Sequence, residues 1–143
     1  FDHEVEVTRV DGGIEKVGVE ELTDALLIAR PGQKIVYATD FSGEEKNREK
    51  VIALAKDADL LICESSFEEG DRDQAERTGH LCAKDCAEIA RDAGVGLLVP
   101  FHLSVRYEQD PTRVYREILE VFDRVHVPAP IYEALLEGSR SQQ

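Results

Sequence analysis

The sequence predicts an α/β fold, on three observations. Short runs rich in β-branched and other apolar residues, KIVYAT at 34–39, DLLICE at 59–64 and GLLVPF at 96–101, alternate with stretches of helical periodicity. These runs are apolar nearly throughout rather than at every second position, the pattern of parallel strands buried on both faces. The 143 residues, 42% of them hydrophobic, suffice for one core and predict a single domain over 1–143.

Taken in order, residues 3–10 (HEVEVTRV) alternate as a half-exposed strand does, and Asp11-Gly12-Gly13 punctuates them as a turn. Residues 14–33 fit either a short helix over EELTDALLIA or a helix running into a strand, closed by Pro31-Gly32. KIVYAT ends at Asp40. Ser42 then stands as an N-cap ahead of the acids Glu44 and Glu45, and Val51, Ile52, Leu54 and Ala55 form that helix's inward face. DLLICE is the second buried strand, and the strongly acidic FEEGDRDQAER after it reads as a loop or an exposed helix. Residues 83–94, AKDCAEIARDAG, carry Ala83, Cys86, Ala87, Ile89 and Ala90 on one helical face and stop at Gly94. Beyond the third strand, GLLVPF, Asp110-Pro111-Thr112 opens a helix with Val114, Ile118, Leu119 and Phe122 turned inward. RVHVPA at 124–129 reads as a fourth short strand, and residues 138–143, GSRSQQ, as a frayed tail.

Thirty acidic residues against 17 basic ones give a net charge of −13, so this polypeptide supplies no long-range attraction to nucleic acid or to an anionic membrane. A phosphate-bearing substrate has to be captured locally, by metal or by a few placed cations. The acidity also fits a solubility or high-salt adaptation. No run approaches the ~18 consecutive apolar residues of a membrane span, and the N-terminal residues lack the basic-then-apolar order of a signal peptide. That predicts a cytoplasmic protein without a membrane partner. The chain opens on Phe1, in what reads as a strand, from which we expect further protein upstream. Cys63, Cys82 and Cys86 form no Cys-x-x-Cys pair, which suits neither a disulfide framework nor a zinc knuckle and reads as small buried side chains.

In open α/β sheets the site lies at the carboxyl ends of the strands. Those ends carry Asp40, Glu64 and His102, one ionisable group per strand. Singly, Asp40 reads as a helix N-cap, Glu64 as a solvated rim acid and His102 as a core histidine. Jointly they point to a binding rim, because charge at a buried sheet edge is costly unless something binds it. A carboxylate with an imidazole suits Zn, Mn or Fe. His80, after Gly79, is either a loop histidine or a general acid or base that Glu64 would orient.

TDF at 39–41, CESSF at 63–67, GH at 79–80 before an Ala-rich helix and FHLSVRY at 101–107 resemble, in order and spacing, the C-terminal half of a metallo-β-lactamase-fold hydrolase, ribonuclease Z and its relatives in particular. The resemblance runs over residues 34–127. It implies a mixed β-sheet flanked by helices, the C-terminal half of an αββα sandwich. For the intact protein it implies a dinuclear metal-dependent hydrolase acting on phosphodiesters, a ribonuclease Z-like endoribonuclease among them. The implied cofactors are two divalent ions, zinc ahead of manganese or iron. The implied partners are a small-molecule or RNA phosphodiester and a second copy in a dimer. Residue by residue, Asp40 would bridge the ions, His102 would ligate one, and His3 would be a further isolated ligand. Glu64 and His80 would assist proton transfer to the leaving group. Ser104, Arg106 and Tyr107 would line the rim, Arg106 contacting phosphate through its forked donors.

The sequence departs from the family pattern in places. The His-x-His-x-Asp-His motif is absent, Thr39 stands where glycine is usual, and Cys63-Glu64-Ser65-Ser66 replaces His-Glu-Ala-Thr. The interval 4–39 leaves little room for the RNA-gripping arm of many ribonuclease Z proteins. Other readings stay open: a same-fold ester or lactone hydrolase, a non-catalytic α/β binding module, and a half-subunit completed by a partner chain.

Overall fold

The three apolar runs become a parallel sheet, in the order β3 (Ile35–Ala38), β4 (Leu60–Glu64), β5 (Leu97–Phe101). This computed structural model describes residues 3–28, 30 and 32–140, and the chain divides into two compact units, Phe1–Gly32 and Gln33–Gln143.

The first unit is a hairpin and a helix. β1 (Glu4–Thr8) pairs antiparallel with β2 (Ile14–Gly18), and α1 (Val19–Leu26) follows directly. The turn closes by hydrogen bonds from Arg9 N–H to the Gly13 carbonyl and from Gly12 N–H to the Arg9 carbonyl. Gly12 sits at φ +85, where a side chain would be strained. The ambiguous segment 14–33 thus begins with a strand, because pairing with β1 decides what the weak pattern of IEKVG leaves open.

In the second unit, β3 is joined to β4 by α2 (Glu45–Ala55), and β4 to β5 by α3 (Arg72–Thr78) and α4 (Ala83–Ala93). After β5 come α5 (Thr112–Val121) and α6 (Ala129–Arg140). Helix α4 packs between α2 and α5, with Ala83, Cys86, Ala87, Ile89 and Ala90 wholly buried as its periodicity predicts. It ends at Gly94, φ +67, whose N–H and that of Val95 satisfy the last carbonyls. Leu61, Cys63 and Leu98 of the sheet and Val114 and Ile118 of α5 complete the centre of the core.

Several expectations are corrected. The strands are not buried on both faces: the helices stack over the side of Val36, Ala38, Leu61, Cys63 and Leu98, while Ile35 and Tyr37 on the opposite side are about 60% exposed. Ser42 does not cap α2. Glu44 holds that position, and Ser42 Oγ instead accepts from Asn47 Nδ2 at 2.9 Å. Leu54 and Leu119 lie on the exposed sides of their helices, 59% and 37% accessible. RVHVPA makes only a single bridge, Val125 to Leu98, since Pro128 removes a donor and α6 begins at Ala129. Helix α6 was not expected, and it runs to Arg140, into the stretch read as frayed; residues 141–143 lie outside the described ones.

Pro100 inside β5 is accommodated by the same edge. Leu98, two residues earlier, directs its N–H and carbonyl towards 124–126, so the missing N–H of Pro100 falls on that side and not on β4.

Candidate functional site

Parallel alignment brings the carboxyl ends of all three strands to one rim, with Ala38 opposite Cys63 and Glu64 opposite Phe101. The residues that leave the outer strands there are Asp40 and His102, and both have left-handed backbones, at φ +55 and φ +58. Asp and His enter that region more readily than most residues, but only where the surroundings hold them. The turns bring their side chains together: Asp40 Oδ1 lies 3.9 Å from His102 Nδ1, and Thr39 Oγ1 donates to Asp40 Oδ2 at 3.1 Å.

Beneath them is Glu64, fully buried. A buried carboxylate is tolerated when donors surround it, and four do. Phe41 N–H donates to Oε1 at 2.9 Å. Oε2 accepts from His80 Nδ1 at 2.8 Å, from Ser66 Oγ at 3.0 Å and from Leu81 N–H at 3.3 Å. These contacts reach every part of the rim. Phe41 follows Asp40; His80 and Leu81 lie in the loop between α3 and α4; and Ser66 Oγ is also 2.8 Å from the His102 carbonyl. The structure therefore brings Asp40, Glu64, His80 and His102 together, the His80 and His102 rings meeting edge to face at 5.1 Å.

With Nδ1 engaged by Glu64, Nε2 is the nitrogen His80 has left for another partner. One ligand atom each from Asp40, His80 and His102 lie within 4.8 Å of one another. One carboxylate and two imidazoles in that space fit a borderline divalent ion, and with three protein donors the coordination sphere would stay open. His3 belongs to the N-terminal unit, at the foot of β1, where its carbonyl accepts Val19 N–H.

The other rim residues follow in the turn Val105–Tyr107. Ser104 is anchored through its N–H on the Ser66 carbonyl. Arg106 extends over the Phe67 ring, 5.3 Å from its centroid, and pairs with Asp71 at 2.7 Å. Tyr107 is buried and gives its hydroxyl proton to the second oxygen of Asp71. Those hydrogen bonds, Tyr107 first and Arg106 second, hold the Asp71 carboxyl below its usual pKa.

Behind the rim, Asp85 in the first turn of α4 accepts from Arg48 of α2 and Arg72 of α3, both at 3.0 Å, while Glu88 and Glu69 pair with the same two arginines. This network fixes α3, whose end at Gly79 (φ +75) leads into His80. A cavity of about 260 Å³ opens there, lined by Ser42, Gly43, Arg72, Glu76, His80 and Asp85 among others. Sequence reasoning missed Ser66, Asp71 and Asp85. Ser66 stood in a quoted motif, whereas the two acids were indistinguishable from their acidic neighbours.

Residues 3–103 match the family model of the beta-lactamase superfamily domain. Ribonuclease Z of Archaeoglobus fulgidus is 37% identical over 94 residues, which are 66% of this chain and 29% of that protein. Ribonuclease Z of Methanothermobacter thermautotrophicus is 46% identical over 80 residues, 56% of this chain and 25% of that protein. The chain thus spans less than a third of the length of either relative. The metallo-beta-lactamase fold protein YhfI from Bacillus subtilis superposes with a TM-score of 0.54 at 21% identity, over 85% of this chain and 43% of that one, a likeness of fold. Strand-end residues assembled on a parallel sheet, a family match over most of the chain and this fold neighbour together make the chain a member of the beta-lactamase superfamily, with the metallo-β-lactamase fold and close in sequence to ribonuclease Z.

Proposed function

We propose that the intact protein is a divalent-metal-dependent phosphodiester hydrolase of the ribonuclease Z kind. The observation that carries this reading is the gathering of Asp40, His80 and His102 within 4.8 Å, over a buried Glu64 that binds Phe41 N–H beside Asp40 and the His80 ring, with Ser66 between Glu64 and the His102 carbonyl. Asp40 and His102 would hold metal. The ion supplies Lewis acidity toward a phosphoryl oxygen when bound. His80, oriented through Nδ1 by Glu64, offers Nε2 to the departing oxygen as proton donor. Two ions need more ligands than Asp40 and His102 give.

The overall charge does not select the substrate, so the site has to. A chain of net charge −13 gains nothing from long-range attraction to RNA, so recognition of a phosphodiester rests on the site's metal and on Arg106. Similarity to proteins named ribonuclease Z supports RNA over other phosphodiesters.

The test is metal analysis of the purified full-length protein, with hydrolysis of bis(p-nitrophenyl) phosphate and of an RNA oligonucleotide. We expect bound transition metal, and loss of both metal and turnover in Asp40→Ala and His102→Ala. Arg106→Ala should lower kcat/KM for a phosphodiester, through KM, and spare hydrolysis of a neutral ester. Equal losses on both substrate types favour the ester or lactone hydrolase. Absence of metal, with no turnover by the wild type, favours a binding module.

A further inference from the structure

We propose that Asp71 is a positioning residue, which holds Arg106 in place to bind a phosphate of the substrate. This rests on the phosphodiester reading above and adds to it a residue outside the metal rim.

Both oxygens of Asp71 are engaged. Oδ1 is 2.7 Å from Arg106 Nη1, and Oδ2 accepts the Tyr107 hydroxyl at 2.5 Å. Tyr107 is 2% exposed, and its own oxygen accepts Glu68 N–H at 3.0 Å. The carboxylate is therefore mounted on the core through Tyr107 and presents its other side to Arg106. The guanidinium is held a second time by the Phe67 ring beneath it, a ring whose centroid is 6.3 Å from that of His80. Arg106 stands four positions after His102, on the turn that continues from the rim.

Stability does not account for this mounting. The Arg106 side chain is 42% exposed and that of Asp71 30%, and such pairs contribute ~0–1 kcal/mol. Ordering an arginine opposes that with up to ~2 kcal/mol of side-chain entropy. The pair is also neutral overall, so it adds no long-range field. What the mounting does provide is direction: with Nη1 on Asp71 and one face on Phe67, the edge carrying Nε and Nη2 is pre-set for two oxygens of a phosphate. Binding then avoids the ordering cost that a free arginine would meet.

A double-mutant cycle on the full-length protein tests this, with KM and kcat for bis(p-nitrophenyl) phosphate, and the dissociation constant of a short fluorescein-labelled RNA measured by anisotropy in chelator. Arg106→Ala should raise KM and the RNA dissociation constant about tenfold, and Asp71→Asn about threefold to tenfold, with kcat within about twofold of wild type. Placed in the Arg106→Ala background, Asp71→Asn should change neither quantity further. Asp71→Glu, which keeps the charge, should recover part of the loss. The proposal is overturned if Asp71→Asn weakens binding as much without Arg106 as with it, if it lowers kcat at constant KM, or if every Asp71 variant unfolds. Failure of the wild type to cleave any phosphodiester would sink the proposed function, and the RNA-binding cycle would still decide this role: non-additive loss supports it, and additive or absent loss overturns it.

Discussion

Ser66→Ala removes one hydroxyl from a residue that is 3% exposed, 3.0 Å from Glu64 Oε2 and 2.8 Å from the His102 carbonyl oxygen. A hydroxyl has one proton, so at any moment it donates to only one of these acceptors, and the loss amounts to one hydrogen bond. Such a bond contributes ~1.5–3 kcal/mol to an ionised acceptor and ~0.5–1.5 kcal/mol to a neutral one. Glu64 keeps Phe41 N–H, Leu81 N–H and His80, so its charge is not stranded. We therefore expect a destabilisation of ~1–2 kcal/mol, read by urea unfolding in chelator with an unchanged m-value. The effect on the site should be larger. His102 is held at φ +58, and Ser66 is its link to Glu64, so metal affinity should fall ~10–100-fold, as for other groups that orient ligands. Competition with a chromogenic chelator measures it, and Ser66→Thr, which keeps the hydroxyl, should stay near wild type. Metal affinity within about twofold of wild type in Ser66→Ala, beside the expected stability loss, would refute the reasoning: the hydroxyl would then only fill space.

Three further outcomes are expected. Gly96→Ala would place a Cβ 2.8 Å from the backbone oxygen of Asp59, at the start of the β4–β5 pairing, where nothing flexible can yield; a loss of ~1–3 kcal/mol in denaturant unfolding is expected, and a neutral result would contradict the packing. Burial pushes the Cys82 thiol up to about 12, and a contact with Cys63 together with burial raises that of Cys86, so iodoacetamide at mildly alkaline pH should spare both in the folded protein and label them in urea. Burial, then donation to Asp71, push the Tyr107 phenol up to about 12, above the ~10 of an unfolded chain. A raised folded value means this stability is intact below pH ~10 and is lost as pH rises from there through about 12. Unfolding free energies across that interval should fall for wild type and lose this component in Tyr107→Phe.

Much of the second unit was legible because its signals are local or strongly periodic. KIVYAT, DLLICE and GLLVPF each became a strand, and AKDCAEIARDAG became α4 with the named residues inward and Gly94 as its stop. What failed depended on tertiary context. Ser42 has the chemistry of an N-cap, yet the helix starts three residues on, and its hydroxyl found Asn47. RVHVPA has the composition of a strand, but only Val125 bridges to Leu98 before α6 begins. Nor does an apolar run say how many of its faces are covered: Tyr37 reads like a core residue and is 61% exposed.

The site shows the same division more sharply. The expectation of parallel strands alone was enough to place Asp40, Glu64 and His102 on one rim, since parallel strands deliver their carboxyl ends to one side. The sequence could not show that Glu64 is the buried centre of the site and not a solvated acid beside it. That follows from four donors supplied by three separate segments, two of the donors being backbone N–H groups that any residue would provide. The left-handed backbones of Asp40 and His102 are likewise invisible in composition, and they change the meaning of both residues. Asp57, in the turn after α2, shares this conformation at φ +54, so what sets Asp40 and His102 apart is that their side chains also meet. Two such residues, with side chains 3.9 Å apart and adjoining backbone groups held by Glu64 and Ser66, are kept there at a cost in free energy. Occupancy by metal would repay that cost through differential binding, and the bracing groups Glu64 and Ser66 then belong to the site as fully as the ligands they hold.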